Sequence, residues 1–127
     1  MISDVEKKKL AADADGLLTY EYIANHIADM DDADLGWLVE NMINVDLTGQ
    51  FVVSAARYLY ATDPEEYAPA VDRLVAAGIE KDRERRYIGG LLEALYGADY
   101  AARAAELSAN DDNFRRIYKR LFGNNPF

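Results

Sequence analysis

Nine carboxylates and no lysine or arginine lie between Lys9 and Arg57, and this segment has the clearest chemistry in the chain. The nine are Asp13, Asp15, Glu21, Asp29, Asp31, Asp32, Asp34, Glu40 and Asp46. Surface carboxylates are usually interspersed with bases, because like charges repel. A long segment of one sign shapes the electrostatic field outside the protein, and it indicates a positively charged partner.

A subset of this segment is predicted to form the contact surface. The acids around Asp31 outnumber what helix capping needs, since one or two carboxylates satisfy the free amides at a helix start. Trp37 lies beside them and suits either the core or an interface, where Trp and Tyr dominate binding hot spots. The predicted partner-binding residues are Glu21, Asp29, Asp31, Asp32, Asp34, Trp37, Glu40 and Asp46.

Catalytic and metal chemistry find little support in the chain. There is no cysteine and only one histidine, which excludes thiolate sites and His-pair metal sites. A calcium loop that starts at Asp29 would place Asp34 at position 6, where an EF-hand needs glycine. We therefore predict a protein that is not an enzyme, with no catalytic residues, no metal and no cofactor.

The charge is split unevenly along the chain. Residues 1–70 hold 14 acidic and 4 basic groups, whereas residues 71–127 hold 9 acidic and 10 basic groups. This balance argues against direct nucleic-acid binding and against an anionic membrane surface. Residues 1–16 lack the apolar core of a secretory signal, so we expect a cytoplasmic protein. A proteome-wide acidic bias is the alternative explanation of the charge.

Helical periodicity runs through nearly the whole chain, and it predicts an all-α fold of seven to eight short antiparallel helices. We expect one domain over residues 1–123 and a loose tail at residues 124–127. Thr19, Asp63 and Asp82 are typical helix-capping residues, and Gly78 is typical of a helix end. The predicted helices span about 2–13, 19–30, 31–45, 48–61, 63–78, 82–97, 99–108 and 110–123.

A weak internal repeat lies within this pattern. Leu59-Tyr60-Ala61-Thr62-Asp63 and Leu95-Tyr96-Gly97-Ala98-Asp99 begin 36 residues apart, and each continues into Tyr-Ala. Periods of this size suit helical hairpins that stack on one another. Over about residues 20–108 the chain resembles the HEAT and armadillo class of α-helical repeats, which implies stacked hairpins. A compact orthogonal bundle explains the same pattern.

The leading functional hypothesis is a non-enzymatic inhibitor whose acidic surface binds a basic site of a partner protein, such as the nucleic-acid site of an enzyme. In size and charge the chain resembles small acidic phage-type inhibitors, of the anti-CRISPR and anti-restriction kinds, and bacterial immunity proteins. The alternative is a helical-repeat adaptor that binds a peptide or subunit in an apolar groove. Late basic residues around Arg85 and Arg116 also suit self-association as a homo-oligomer, and a pocket with convergent polar groups would favour a ligand-binding bundle or an enzyme.

Overall fold

The computed structural model describes residues 2–123, which form eight α-helices, one 3₁₀ turn at Ile27–Asp29 and no strand. The predicted all-α fold is confirmed for these residues. Residues 124–127, predicted to be a loose tail, lie outside the described part. The helices are α1 (Asp4–Ala11), α2 (Leu17–His26), α3 (Asp32–Val45), α4 (Gln50–Thr62), α5 (Ala68–Lys81), α6 (Gly89–Tyr96), α7 (Ala104–Asn110) and α8 (Asp112–Phe122).

Alternate helices pack in two rows. Helices α2, α4, α6 and α8 each contact the next in one row, and α1, α3 and α5 do so in the other. The order of α1 to α6 agrees with stacked helical hairpins, and α8, which packs on both α5 and α6, closes them into a compact helical bundle. One apolar core runs between the rows, and its largest fully buried side chains include Phe114, Ile23, Leu38, Met42 and Leu59.

Several predicted helix bounds need correction. Thr19 does not cap α2; it lies fully buried inside it, and its hydroxyl donates to Asp13 Oδ2 at 3.1 Å. Asp63 does not start α5 directly, because its carboxylate accepts from the amides of Glu65 and Glu66 in a turn that precedes the helix. The bounds of α3 and α4 agree with their predicted bounds to within about two residues.

Gly78 does not end α5, which continues to Lys81. Instead, Gly78 lets α4 and α5 approach closely. A Cβ atom on Gly78 would lie 2.9 Å from Val53 Cγ2 and 3.7 Å from Val52 Cγ2. The glycine is therefore required by packing between the two rows and not by a helix terminus.

Two glycine substitutions test this packing and should act with opposite signs. Gly36 lies within α3, and no atom lies within 4 Å of the position of an added Cβ. Gly36→Ala should raise the free energy of unfolding by roughly 0.5–1 kcal/mol through helix propensity. Gly78→Ala should lower it by about 1–3 kcal/mol through overpacking. Urea denaturation measures both, and stabilisation by Gly78→Ala would contradict the close crossing of α4 and α5.

Candidate partner-binding surface

The nine carboxylates of the base-free segment do not all reach the surface. Asp13, Asp34 and Asp46 are buried, and the other six are exposed. Among the predicted binding residues, the structure places Glu21, Asp29, Asp31, Asp32 and Glu40 on the surface, and Trp37 half-buried. Burial removes Asp34 and Asp46 from the predicted contact surface.

Asp46 is 1% exposed and has a structural role. Its carboxylate accepts hydrogen bonds from the amides of Thr48 (3.0 Å), Gly49 (2.9 Å), Phe51 (2.9 Å) and Val52 (3.0 Å). These amides belong to the loop between α3 and α4 and to the first turn of α4, where helical partners are missing. A carboxylate with several amide donors replaces its lost hydration, so Asp46 closes the hairpin.

The same arrangement occurs in two other loops. Asp82, 2% exposed, accepts from the amides of Arg86, Tyr87 and Ile88 at 2.7–2.9 Å. Asp13, 8% exposed, accepts from the Thr19 amide and hydroxyl, both at 3.1 Å. In each loop the last donor lies six residues after the aspartate. The three aspartates are 33 and 36 residues apart, so they mark one structural repeat.

The repeated loops also contact one another. Gly49 has φ 93°, a conformation that favours glycine, and a Cβ there would lie 3.1 Å from Asp82 Cβ. Gly16, with φ 106°, is the equivalent residue of the first loop, and its Cβ would lie 3.4 Å from Asp46 Cβ. The third loop has Arg85 at this position, with φ 60°. Glycine is thus used where the next aspartate loop lies against the backbone.

The acids at the start of α3 have different roles. Asp31 caps the helix and accepts from the Asp34 amide at 2.7 Å, as predicted for one member of this cluster. Asp34 Oδ1 accepts from the Ile2 amide at 3.4 Å and so ties the start of the chain to α3. Asp29 and Asp32 remain exposed and are the members of the cluster best placed to meet a partner.

Basic side chains from other helices neutralise part of the negative charge of the predicted binding surface. Glu40 forms an ion pair with Arg73 of α5, and Lys7 Nζ lies 5.4 Å from the centroid of the Trp37 ring. Trp37 is therefore partly covered by a cation of the same chain. The absence of bases between Lys9 and Arg57 does not carry over to three dimensions, because α1 and α5 supply them at α3.

A groove runs between α3 and α5, and we call it the α3–α5 groove. Its volume is about 270 Å³. Its apolar lining consists of Leu35, Gly36, Val39, Pro69 and Ala70, and its polar lining consists of Asp32, Glu66, Tyr67 and Arg73. The groove therefore combines an apolar surface with carboxylates at its edge, and Arg73 is already paired with Glu40.

The acids around this groove affect the pKa of the Tyr67 hydroxyl. Its pKa is raised above the ordinary value, first by partial burial and then by the charges of Glu66, Asp63 and Asp32. The phenol therefore stays neutral and can donate a hydrogen bond throughout the physiological pH range. The sequence pattern does not predict Tyr67, Glu66 or Pro69 as binding residues, because it indicates only a helix start at Asp63. The density of acids in that turn was the available signal.

Comparisons of the chain with models of protein families, with curated proteins and with solved structures find no match. In residues 2–123, no group of three or more His, Cys, Asp or Glu side chains is arranged to hold a metal ion. None of the helices in the same range is long and apolar enough to cross a bilayer. The function of the chain has to be inferred from its own surface.

The loop aspartates should contribute strongly to stability. Asp46→Asn keeps the size of the side chain but loses the charge and one acceptor oxygen, so buried amides lose partners. We expect the free energy of unfolding to fall by about 2 kcal/mol in urea denaturation. The matched control is Asp29→Asn at the surface, which should change stability by less than about 0.5 kcal/mol. Equal effects at the two positions would refute the structural role of Asp46.

Asp13 should add a pH-dependent contribution to stability. Burial raises its pKa, but amide hydrogen bonds from Thr19, Gly16 and Asp15 outweigh burial and lower it below 3.8. A lowered pKa in the folded state contributes stability above 3.8, and this contribution is lost as pH falls through the folded pKa. The stability gap between the native chain and Asp13→Asn should therefore be constant above about pH 5 and shrink below about pH 4. A gap that widens toward acid pH would contradict this.

Proposed function

We propose that the protein is a non-enzymatic protein-binding domain whose α3–α5 groove receives a basic amphipathic segment of a partner protein. The observation that carries the proposal is the composition of the groove, with an apolar lining from Leu35, Val39 and Pro69 beside the carboxylates of Asp32 and Glu66. Apolar side chains of the partner would occupy the lining, and its lysine or arginine side chains would meet the acids.

The charges around the groove support a basic partner. Asp32 and Glu66 lie at its edge, and Asp63 lies close enough to raise the pKa of Tyr67. Asp29 is exposed just before the start of α3. Arg73 is paired with Glu40, so the lining keeps a net negative charge, which accelerates encounter with a basic surface and disfavours acidic partners.

The packing of the helices supports a groove binder. Helices in a stacked arrangement leave extended grooves between neighbours of a row, which is the binding mode of the adaptor hypothesis. The groove thus joins the two leading sequence hypotheses, acidic recognition and apolar docking, at one place. Inhibition of a nucleic-acid-binding enzyme is one way in which such a domain would act, because carboxylates can replace phosphates on a basic site.

A variant that fills the groove without changing charge tests the proposal. Gly36 lines the groove, and no atom lies within 4 Å of where its Cβ would be. Gly36→Leu should therefore close the groove and leave α3 folded, as checked by circular dichroism. The probe is a designed helical peptide of leucine and arginine. Its binding to the protein is measured by NMR titration. We expect Gly36→Leu to weaken binding about tenfold or more, since apolar contact area is lost.

Charge variants separate the contribution of the carboxylates at the edge of the groove. Asp32→Asn with Glu66→Gln should weaken peptide binding about three- to tenfold and reduce its salt dependence. Glu106→Gln on α7, exposed and outside the groove, is the control and should bind as the native chain does. Equal binding of a leucine–glutamate peptide, or no loss with Gly36→Leu, would refute the groove as the docking site.

The partner can be identified with the variants Gly36→Leu and Glu106→Gln. Affinity capture from the native host, followed by mass spectrometry, should retain one protein on the native chain and on Glu106→Gln. The same protein should be absent with Gly36→Leu. A captured protein that binds all three equally would use another surface.

A further inference from the structure

A second pocket lies on the other side of the turn that precedes α5. It is formed where the ends of α4 and α6 meet α5 and the start of α8, and its volume is about 260 Å³. It has its own lining, shared with no residue of the α3–α5 groove. The residues are Tyr60, Pro64, Ala68, Val71, Asp72, Val75, Leu95, Tyr96, Asp111 and Asn113.

The aromatic walls of this pocket come from the internal repeat. Tyr60 and Tyr96 are the tyrosines of the two Leu-Tyr pairs, 36 residues apart, and both are half-buried in the pocket lining. Tyr96 packs edge-to-face on the fully buried Phe114, with ring centroids 5.0 Å apart and an interplanar angle of 80°. This contact holds the orientation of the Tyr96 ring.

Two carboxylates are held in place at the pocket by hydrogen bonds. Asp72 Oδ1 accepts from Asn113 Nδ2 at 3.0 Å, and Asp111 Oδ1 accepts from the Phe114 amide at 2.9 Å. No lysine or arginine lines the pocket, and within residues 2–123 neither carboxylate takes part in a described ion pair. The pocket is therefore negative, with two acids and no compensating cation in its lining.

Tyr96 adds a neutral donor to this negative pocket. Burial and then the charge and hydrogen bond of Asp111 raise the pKa of its hydroxyl far above the ordinary value. Asp72 and Tyr60 act in the same direction. The hydroxyl therefore stays protonated, and the negative charge of the pocket resides on the two carboxylates.

We propose that this pocket binds a guanidinium group carried on a short aliphatic chain. A planar guanidinium stacks on tyrosine rings and presents several N–H donors to the two carboxylates, Asp72 and Asp111. The aliphatic chain would lie against Val71, Val75 and Leu95. An ammonium ion would meet the charge but would lack the planar face and the fork of donors.

The site does not depend on the α3–α5 groove, so the two proposals can fail separately. The guanidinium has two sources, the arginine side chain of a bound polypeptide and a free small molecule. Acetyl-arginine amide represents the first, and agmatine represents the second. Acetyl-citrulline amide has nearly the same shape without the charge, and it serves as the control ligand.

NMR titration of the full chain tests the site. Acetyl-arginine amide or agmatine should shift the amide resonances of Tyr60, Asp72, Tyr96 and Asn113 and approach saturation at concentrations of about 10 mM. Stronger binding of acetyl-arginine amide indicates a polypeptide ligand, and stronger binding of agmatine indicates a free one. Either result supports the guanidinium site.

Matched variants give the test its specificity. Asp72→Asn should weaken binding about fivefold, because one charge is removed with little change of shape. Asp112→Asn alters an exposed acid beside the pocket that pairs with Arg115, and it should have no effect. Both variants should keep the native spectrum outside the altered residue. Equal shifts with acetyl-citrulline amide, no shifts at these four residues, or equal loss in both variants would overturn the proposal.

Discussion

A carboxylate taken out of water must recover its hydrogen bonds inside the protein, and the chain meets this requirement in three equivalent loops. Asp46 and Asp82 are almost completely buried, and each accepts from at least three backbone amides. For Asp46 they include the amides of Phe51 and Val52 in the first turn of α4, which a helix start leaves without partners. For Asp82 they belong to the loop that leads into α6. The buried charges and these amides therefore satisfy each other. Asp13 repeats the arrangement with Thr19.

This constraint reaches from the loops to the surface. Gly16 and Gly49 lie against the aspartate of the following loop, so the loops set how each hairpin lies on the next. The stacking brings α3 against α5, and the groove between them acquires its apolar lining and acidic edge. The negative surface of the folded protein also differs from the base-free segment of the sequence. Acids such as Asp46 turn inward, while the turn at residues 63–67 adds acids that lie after the base-free segment.

Periodicity and capping rules account for the parts of the fold that depend on local sequence. They predict α3 and α4 to within about two residues, together with the end of α6 at Gly97 and the start of α8 at Asn110 or Asp111. The prediction that Gly78 ends a helix is wrong, because the position needs glycine for a different reason: a Cβ there would clash with Val53 on α4. Asp46 was misassigned to the surface for a similar reason, since its donors are backbone amides that the sequence does not show. A search for aspartate with glycine three residues later would have found the first two loops, which begin 33 residues apart. It would have missed the third loop, because Arg85 stands at the glycine position.

The loop aspartates hold the hairpins against one another, and hydrogen exchange of backbone amides measures this most directly. The amides of Phe51 and Val52 bind Asp46, and those of Tyr87 and Ile88 bind Asp82. These four amides should exchange as slowly as amides in the middle of α4 and α5, in the class that opens only with global unfolding. Rapid exchange at all four positions, at the rate of an exposed loop, would contradict this role of Asp46 and Asp82.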